Sequence, residues 1–331
     1  MNGIVEHKDI QREVLDYWRN GGGTTYYLGF NTLSQHYSIK EGGVTDWTGY
    51  AGSGKTELLL ECLKNCSDWY GHNHLIYMPD AGTNAEVVSK IIHKMTGKQV
   101  DKFYYKEGQK IEIENRISEE EILKILPTVL EHFKIFNPSL KNRSKAVTPK
   151  EFWQYAADNK KKLNLFGTVI DSWNYMRHDI GQQREDKWLE ETLSFRNEIA
   201  ENHNLHNHTI IHPKSAKHDR EGKIIIPDMH CLKGGSEWSN NGKTIIIVHR
   251  DYGSYDSIIK IDKAKPKIVG VQGTVVMNYD IAKGSYYEIV GGDNNKGIKK
   301  YAEKLPIKNK EVKNTITPNL KFEDEETDLP F

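Results

Sequence analysis

Val44-Thr45-Asp46-Trp47-Thr48 runs directly into Gly49-Tyr50-Ala51-Gly52-Ser53-Gly54-Lys55-Thr56, and the second stretch decides the fold. It fits G-x-x-x-x-G-K-[S/T] in full, and its context is right. An apolar stretch ends at Thr48 and a helical pattern begins at Thr56. Glycines let successive backbone N–H groups turn toward phosphate oxygens. The start of the following helix adds its positive end. Gly49, Gly52, Ser53 and Gly54 would form the cradle, Lys55 would reach the β- and γ-phosphates, and Thr56 would hold Mg2+.

The same alternation continues along the chain. Hydrophobic spacing predicts strands over 44–48, 75–78, 133–136, 166–170, 209–211, 244–248, 257–261 and 273–278. It predicts helices over 56–65, 84–95, 118–131, 149–159 and 184–202. The early strands alternate with helices, which implies an α/β fold with a mostly parallel central sheet and helices on both faces. The last three strands follow one another, so an antiparallel C-terminal extension is expected. Residues 9–20 form an amphipathic pattern with Val14, Leu15 and Trp18, stopped by Gly21-Gly22-Gly23. Residues 1–23 are either a linker helix or arm, or a plain helix folded on its own core. Residues 24–290 form the main domain. Residues 291–331 are expected to be a flexible tail, Lys-rich first and acidic last, ending Asp328-Leu329-Pro330-Phe331.

Composition excludes several classes. The chain has 331 residues with 37% hydrophobic and 28% charged, enough apolar material for a core. Lys+Arg and Asp+Glu are both 46, so a globally basic nucleic-acid binder is excluded but a local basic patch is not. No apolar run approaches the roughly 18–20 residues that span a bilayer. Nothing at the start resembles a secretory signal. Cys62, Cys66 and Cys231 give no disulfide framework, and Cys62 and Cys66 read as buried small hydrophobes. A reducing, cytosol-like compartment is expected.

Acidic residues at strand ends supply the next candidates. Phe166-Gly167-Thr168-Val169-Ile170-Asp171 is an apolar strand ending in a carboxylate. This is the Walker B form, in which Asp171 supports Mg2+ through its water shell. An Asp171-Ser172 helix cap is the alternative. Hydrolysis also needs a group to deprotonate water. Asp80, after Leu75-Ile76-Tyr77-Met78-Pro79, would lie on the edge of the sheet where ligands bind. The alternatives are Glu57 as base and Asp80 as a turn residue. The same edge argument makes His212, after Thr209-Ile210-Ile211, a γ-phosphate sensor or an ordinary loop histidine.

Taken together, these residues resemble a known family. The set begins with Tyr27-Leu28-Gly29-Phe30, Gly42-Gly43-Val44-Thr45 and the phosphate loop through Glu57. It continues with Met78-Pro79-Asp80, Val169 to Asn174, Ile211-His212-Pro213-Lys214 and Val248-His249-Arg250-Asp251. In order and spacing they resemble the RecA-like motor domain of DnaB-type ring helicases, closest to the Twinkle-like and phage primase-helicase branch. The resemblance covers about residues 10–290. It implies a homohexameric, ATP-driven replicative motor that translocates on single-stranded DNA and unwinds duplex, in a bacterial or phage-infected host cytoplasm. ATP would sit between neighbouring subunits. By position, Lys55, Thr56, Asp171, Asp80 and His212 keep the roles above. Arg250 matches a residue near the nucleotide base. Lys263 and Lys265 match a basic pair that reaches the neighbour's γ-phosphate. Lys265 stands where arginine is common, and a lysine lacks the bidentate fork. Asp80 stands where glutamate is usual. No primase-like zinc motif precedes the motor in this sequence. The 10–18 segment resembles a linker helix that docks on an adjacent subunit.

Two loops are candidate DNA contacts: Arg177 and Arg184 after Asp171, and Lys214, Lys217 and Lys233-Gly234-Gly235 after His212. The bland alternative is an ordinary solvated surface. The Asp328-Leu329-Pro330-Phe331 end resembles the acidic tip of bacterial single-stranded-DNA-binding proteins. It suggests a docking peptide for a replisome partner such as a primase, polymerase or loader, or else a solubilising tail. The functional alternatives to a helicase are a RecA-like recombinase or annealing ATPase, and a nucleotide-switched scaffold or loader with weak hydrolysis.

Overall fold

The computed structural model describes residues 7–304, apart from 20, 22, 107–108, 139–146, 252, 255 and 292–296. The acidic end expected to dock a partner lies outside the described residues. The chain begins with α1 (His7–Arg19), β1 (Thr25–Tyr26), α2 (Asn31–Ser34) and β2 (Ile39–Lys40). The nucleus follows: β3 (Val44–Thr48), α3 (Lys55–Tyr70), β4 (Asn73–Tyr77) and α4 (Asn84–Thr96). A small hairpin of β5 (Phe103–Lys106) and β6 (Gln109–Glu112) leads to α5 (Glu119–His132) and β7 (Phe133–Ile135). Then come α6 (Pro149–Leu163), β8 (Leu165–Asp171), α7 (Glu185–His203), β9 (His206–Ile211) and α8 (Glu237–Asn241). The chain closes on β10 (Thr244–Arg250), β11 (Ser257–Lys263), β12 (Gly273–Asp280), β13 (Ser285–Val290) and β14 (Ile298–Tyr301).

Among the described residues the main sheet has ten strands in the order β14-β13-β12-β11-β10-β3-β9-β8-β4-β7. The part from β10 to β7 is parallel throughout. The part from β10 to β14 is antiparallel. Consecutive strand residues serve opposite cores, as the period of two requires. Ile76, Val169, Ile210 and Ile246 pack with α3, α4 and α5. Leu75, Ile170, Ile211 and Ile245 pack with α6, α7 and α8. Helices therefore cover both faces, and the long helices begin where the sequence places caps. Thr83, Ser118 and Thr148 each form a capping box with the glutamate three residues on.

Besides several short elements and β13, which the sequence reading did not include, three features differ from it. Residues 298–301, assigned above to the flexible tail, form an edge strand paired with β13. The chain then crosses back: Glu303 N donates to Gly29 O at 3.1 Å, and Lys304 Nζ to Trp69 O at 3.1 Å. The buried Glu288 carboxylate of β13 caps α2, accepting from Asn31 N at 3.0 Å and Thr32 N at 2.8 Å. The domain thus runs past residue 290, held by contacts far apart in sequence. Second, Asp171 belongs to β8, and the short turn after it, Trp173–Tyr175, has no side-chain cap, so the helix-cap alternative fails. Third, β9 starts at His206, ahead of the expected Thr209. Cys62 and Cys66 are buried, all three thiols are free, and burial pushes the Cys62 and Cys66 thiols up. On α1, by contrast, Val14, Tyr17 and Trp18 remain exposed. No helix among the described residues is long and apolar enough to cross a membrane.

A histidine cluster sits inside the sheet on the face that packs against α3. His206 and His208 ring centroids are 4.3 Å apart, and His72 stacks on Phe166 at 3.6 Å. Burial pushes His72 and His206 down to about 4, and His74 and His208 well below the usual histidine range. The folded state therefore binds fewer protons than the unfolded chain below about pH 6.5, so stability falls as pH drops from there toward 4. His72 and His206 each cost about 1–2 kcal/mol at pH 5. Thermal melts at pH 7.5 and 5.0 are expected to show a large loss on acidification. Both ring nitrogens of His74 lack a hydrogen-bond partner, so His74→Leu should melt at or above the wild type at pH 7.5 and lose less at pH 5.0.

Candidate functional site

The parallel strands all end on one edge. Register pairs Thr48 with Ile211, Asp171 with Ile210, and Tyr77 with Ile170, which brings the ends of β3, β9, β8 and β4 side by side. Such an edge is where open α/β sheets bind ligands. The phosphate loop crosses it between β3 and α3. Gly49 and Gly54 have φ of 150° and 90°. A Cβ on Gly49 would lie 2.0 Å from Val248 O, and one on Gly54 2.4 Å from Tyr286 Oη. Only glycine fits either position.

Lys55 is buried and folds back on the loop, donating to Tyr50 O at 3.0 Å. Burial pushes its ammonium pKa down, while Asp171 and Asp80 pull it up. Thr56 Oγ1 donates to Asp171 Oδ2 at 2.6 Å. Burial pushes the Asp171 carboxyl up to about 6, with Asp80 adding to the rise and Thr56 and Lys55 opposing it. Asp80 lies in a turn over Pro79–Ala81 just past β4. Its Oδ2 is 2.9 Å from His212 Nε2, which is also 3.1 Å from Ser172 Oγ. One edge therefore gathers Lys55, Thr56, Asp80, Asp171 and His212.

Glu57 is engaged differently. It accepts from Lys90 at 2.7 Å and from Tyr279 Oη at 3.2 Å, and pairs with the buried Lys94 at 2.9 Å. Burial raises its pKa, but Lys94 and Lys90 outweigh that and hold it at about 2. A carboxylate so committed is a poor proton acceptor, which leaves Asp80 as the base candidate. Beside the loop lies a pocket of about 240 Å³. Gly52 to Glu57 line one side, and Lys90, Arg250, Ser257, Tyr279 and Tyr286 the other. Tyr286 Oη donates to Gly54 O at 3.2 Å, and its backbone N–H to Glu61 at 2.7 Å. Lys90, Tyr279 and Tyr286 had no signal in the sequence, because the antiparallel strands and α4 bring them to the loop from far away.

Lys263 is not at this edge. It pairs with Ile245 near the start of β10, so the 263–265 stretch lies at the opposite end of the sheet. Lys263 Nζ donates to Ser239 O at 2.5 Å. The DNA candidates fall on two neighbouring loops. Arg177 is exposed and 3.4 Å from Glu151, and Arg184 is paired with Asp186 at 2.6 Å. The other segment folds back on itself: Lys214 N donates to Cys231 O at 2.7 Å, and Lys233 N to His212 O at 3.2 Å. Lys217 is exposed on a turn closed by Ile225 N donating to Lys217 O at 2.8 Å. Gly234 and Gly235 have φ of 105° and 90°. The two loops meet at a small pocket of about 180 Å³, with Trp173, His178 and Trp188 from one side and Lys233 and Gly234 from the other.

A mostly parallel sheet with an antiparallel extension, a G-x-x-x-x-G-K-T loop after β3 and an acid at the end of β8 define a P-loop NTPase domain of RecA-like fold. No family model matches the chain. Over 295 residues it is 25% identical to the Twinkle homolog protein, chloroplastic/mitochondrial, of Arabidopsis thaliana. The match covers 86% of this chain and 40% of that protein, so the chain spans about two fifths of its relative's length. The fold is similar to an ATPase domain of known structure, with a TM-score of 0.66 at 12% identity, covering 86% of this chain and 98% of that one. It is also similar to a DnaB-like replicative helicase solved for its interactions with primase, with a TM-score of 0.65 at 15% identity. There the match covers 85% of this chain and 68% of that one. The chain is thus similar in sequence to a Twinkle homolog and similar in fold to the ATPase domains of DnaB-like helicases.

The Gly49 position gives a direct check on this geometry. Gly49→Ala forces a methyl into the Val248 carbonyl, and it should lower stability by about 2–4 kcal/mol, read as a drop in melting midpoint. Gly71→Ala, where a Cβ meets nothing within 4 Å, should cost about 1 kcal/mol through its positive φ alone.

Proposed function

We propose that this chain is the motor of a replicative DNA helicase: a DNA-stimulated ATPase that assembles as a homohexameric ring and moves along single-stranded DNA to unwind duplex. The single observation that carries the reading is the joint placement of two pairs around Lys55: Thr56–Asp171 at 2.6 Å and Asp80–His212 at 2.9 Å. A hydroxyl and a carboxylate are hard oxygen donors, too few to hold an ion alone, which suits Mg2+ that keeps most of its waters and takes further oxygens from phosphates. Thr56 and Asp171 would hold it there, and it would neutralise charge on the β- and γ-phosphates. Asp171's raised pKa is in keeping with a carboxylate awaiting a cation.

In the reaction, Asp80 takes a proton from water and the water oxygen bonds to the γ-phosphorus. The bond to the β–γ bridging oxygen breaks, and ADP leaves with the electron pair. Lys55 and His212 donate to the oxygens on which charge builds. Arg250, Tyr279 and Tyr286 flank the nucleoside end of the pocket. Lys263 and Lys265 serve the pocket of the neighbouring subunit, which fits their distance from their own loop. The exposed apolar side chains of α1 dock on an adjacent protomer. Arg177, Arg184, Lys214, Lys217, Lys233 and the Gly234-Gly235 backbone contact DNA phosphates. The acidic end engages a replisome partner. This follows the relatives in kind; the DnaB-like helicase was solved with its primase interactions in view.

ATP turnover with and without oligo-dT tests the reading. Turnover is expected to rise with oligo-dT, to vanish in Lys55→Ala, and to fall at least about a hundredfold in Asp80→Asn, all with wild-type melting midpoints. Little stimulation by DNA would favour the scaffold or loader. DNA-stimulated turnover without movement past a duplex block would favour the recombinase or annealing ATPase.

A further inference from the structure

His212 stands at the meeting point of two hydrogen bonds through one atom. Its Nε2 is 2.9 Å from Asp80 Oδ2 and 3.1 Å from Ser172 Oγ. An ionised carboxylate only accepts, so Nε2 carries the hydrogen, and the Ser172 oxygen takes a second share of the same N–H. The members of the trio differ in setting. Ser172 is fully buried and directly follows Asp171, the last residue of strand β8. Asp80 and His212 are about 30% exposed and sit just past β4 and β9. Ser172 is thus the buried member of the trio, and it ties the imidazole to the strand that carries Asp171.

Resting on the hydrolytic reading above, we propose that Ser172 is a positioning residue whose hydroxyl holds the His212 imidazole where one N–H is contested between Asp80 and the γ-phosphate of an arriving nucleoside triphosphate. Before nucleotide binds, the N–H occupies an Asp80 oxygen and blunts it as a base. A γ-phosphate oxygen carries more negative charge than a shared carboxylate oxygen and draws the N–H to itself. Asp80 then has a free oxygen for the water proton. Ser172 touches no reacting atom; it sets the plane of the ring so that the exchange needs only a small rotation. Base release is thereby coupled to the presence of the third phosphate, and a nucleoside diphosphate leaves the pair closed.

Steady-state ATP turnover of the full chain tests this with Ser172→Ala, Ser172→Thr, His212→Gln and the double variant Ser172→Ala/His212→Gln. Ser172→Ala is expected to lower kcat about tenfold with KM for ATP within about twofold, and Ser172→Thr, which keeps the hydroxyl, to recover most of the loss. The double variant should be no slower than His212→Gln alone, because Ser172 acts only through that ring. A purely structural serine would instead make the two losses multiply. Should Ser172→Ala fail to fold, Ser172→Cys, close in volume with only a weak acceptor, takes its place in the same cycle. Wild-type turnover in Ser172→Ala, or multiplied losses in the double variant, overturns the proposal. If the wild type turns over ATP and Lys55→Ala does not, such a result leaves the hydrolytic reading standing. A wild-type chain with no turnover overturns both.

Discussion

The hydrogen bond from Thr56 to Asp171 is the contact on which the site depends. It joins the first residues of α3 to the last residue of β8, two elements that do not touch in the sheet order, since β9 lies between β3 and β8. For the bond to form, the parallel strands must end in register. Burial of all seven residues of β8 and all six of β9 enforces that register, because a slip by one residue would exchange the two cores. Asp171 is buried there at a cost that raises its pKa to about 6. Burial disfavours the ionised carboxylate, and a cation beside it would offset that cost.

Around that contact, charge is divided into committed and available groups. Glu57, Glu61, Lys90 and Lys94 are tied to one another and to Tyr279 and Tyr286, and they brace the antiparallel strands against the phosphate loop. Asp46 of β3 and Arg196 of α7 form a buried pair, with Trp153 and Trp238 beside the guanidinium. By contrast, Asp80 and His212 face solvent in part and hold each other. The braced groups are committed to structure, and the partly exposed pair has fewer partners of its own.

Much of this was legible in the sequence, for identifiable reasons. The phosphate loop is local, and each of its glycines has one geometric task. The parallel strands are short apolar runs between amphipathic helices, so periodicity finds them. The errors arose where burial is polar or contacts are distant. His206-Asn207-His208 does not look like a buried strand, yet Asn207 accepts from Thr168 at 2.7 Å and donates to Arg196 O at 3.2 Å, and His206 is 2.6 Å from Lys40 O. Ile298-Lys299-Lys300-Tyr301 looks like tail because its lysines dominate. In the fold, Lys299 lies over the Tyr287 ring at 4.7 Å and Tyr301 Oη donates to Asp280 at 2.6 Å, so the edge strand carries lysines at its rim. Ser172 stood out only as part of the Val169 to Asn174 run and as a possible cap, and Tyr286 carries no motif at all. Their roles come from partners 40 and 232 residues away.

In the proposed ring each working site is shared, with Lys55 on one protomer and Lys263 and Lys265 on its neighbour. Mixing two defective proteins measures this most directly. Lys55→Ala spoils its own pocket and keeps the lysines it lends; Lys265→Ala does the reverse. With each inactive alone, random assembly of an equal mixture makes about a quarter of the interfaces whole. DNA-stimulated ATP turnover of the mixture is expected well above that of either variant, approaching about a quarter of wild type. A mixture as inactive as its components, in rings shown to contain both, would contradict it.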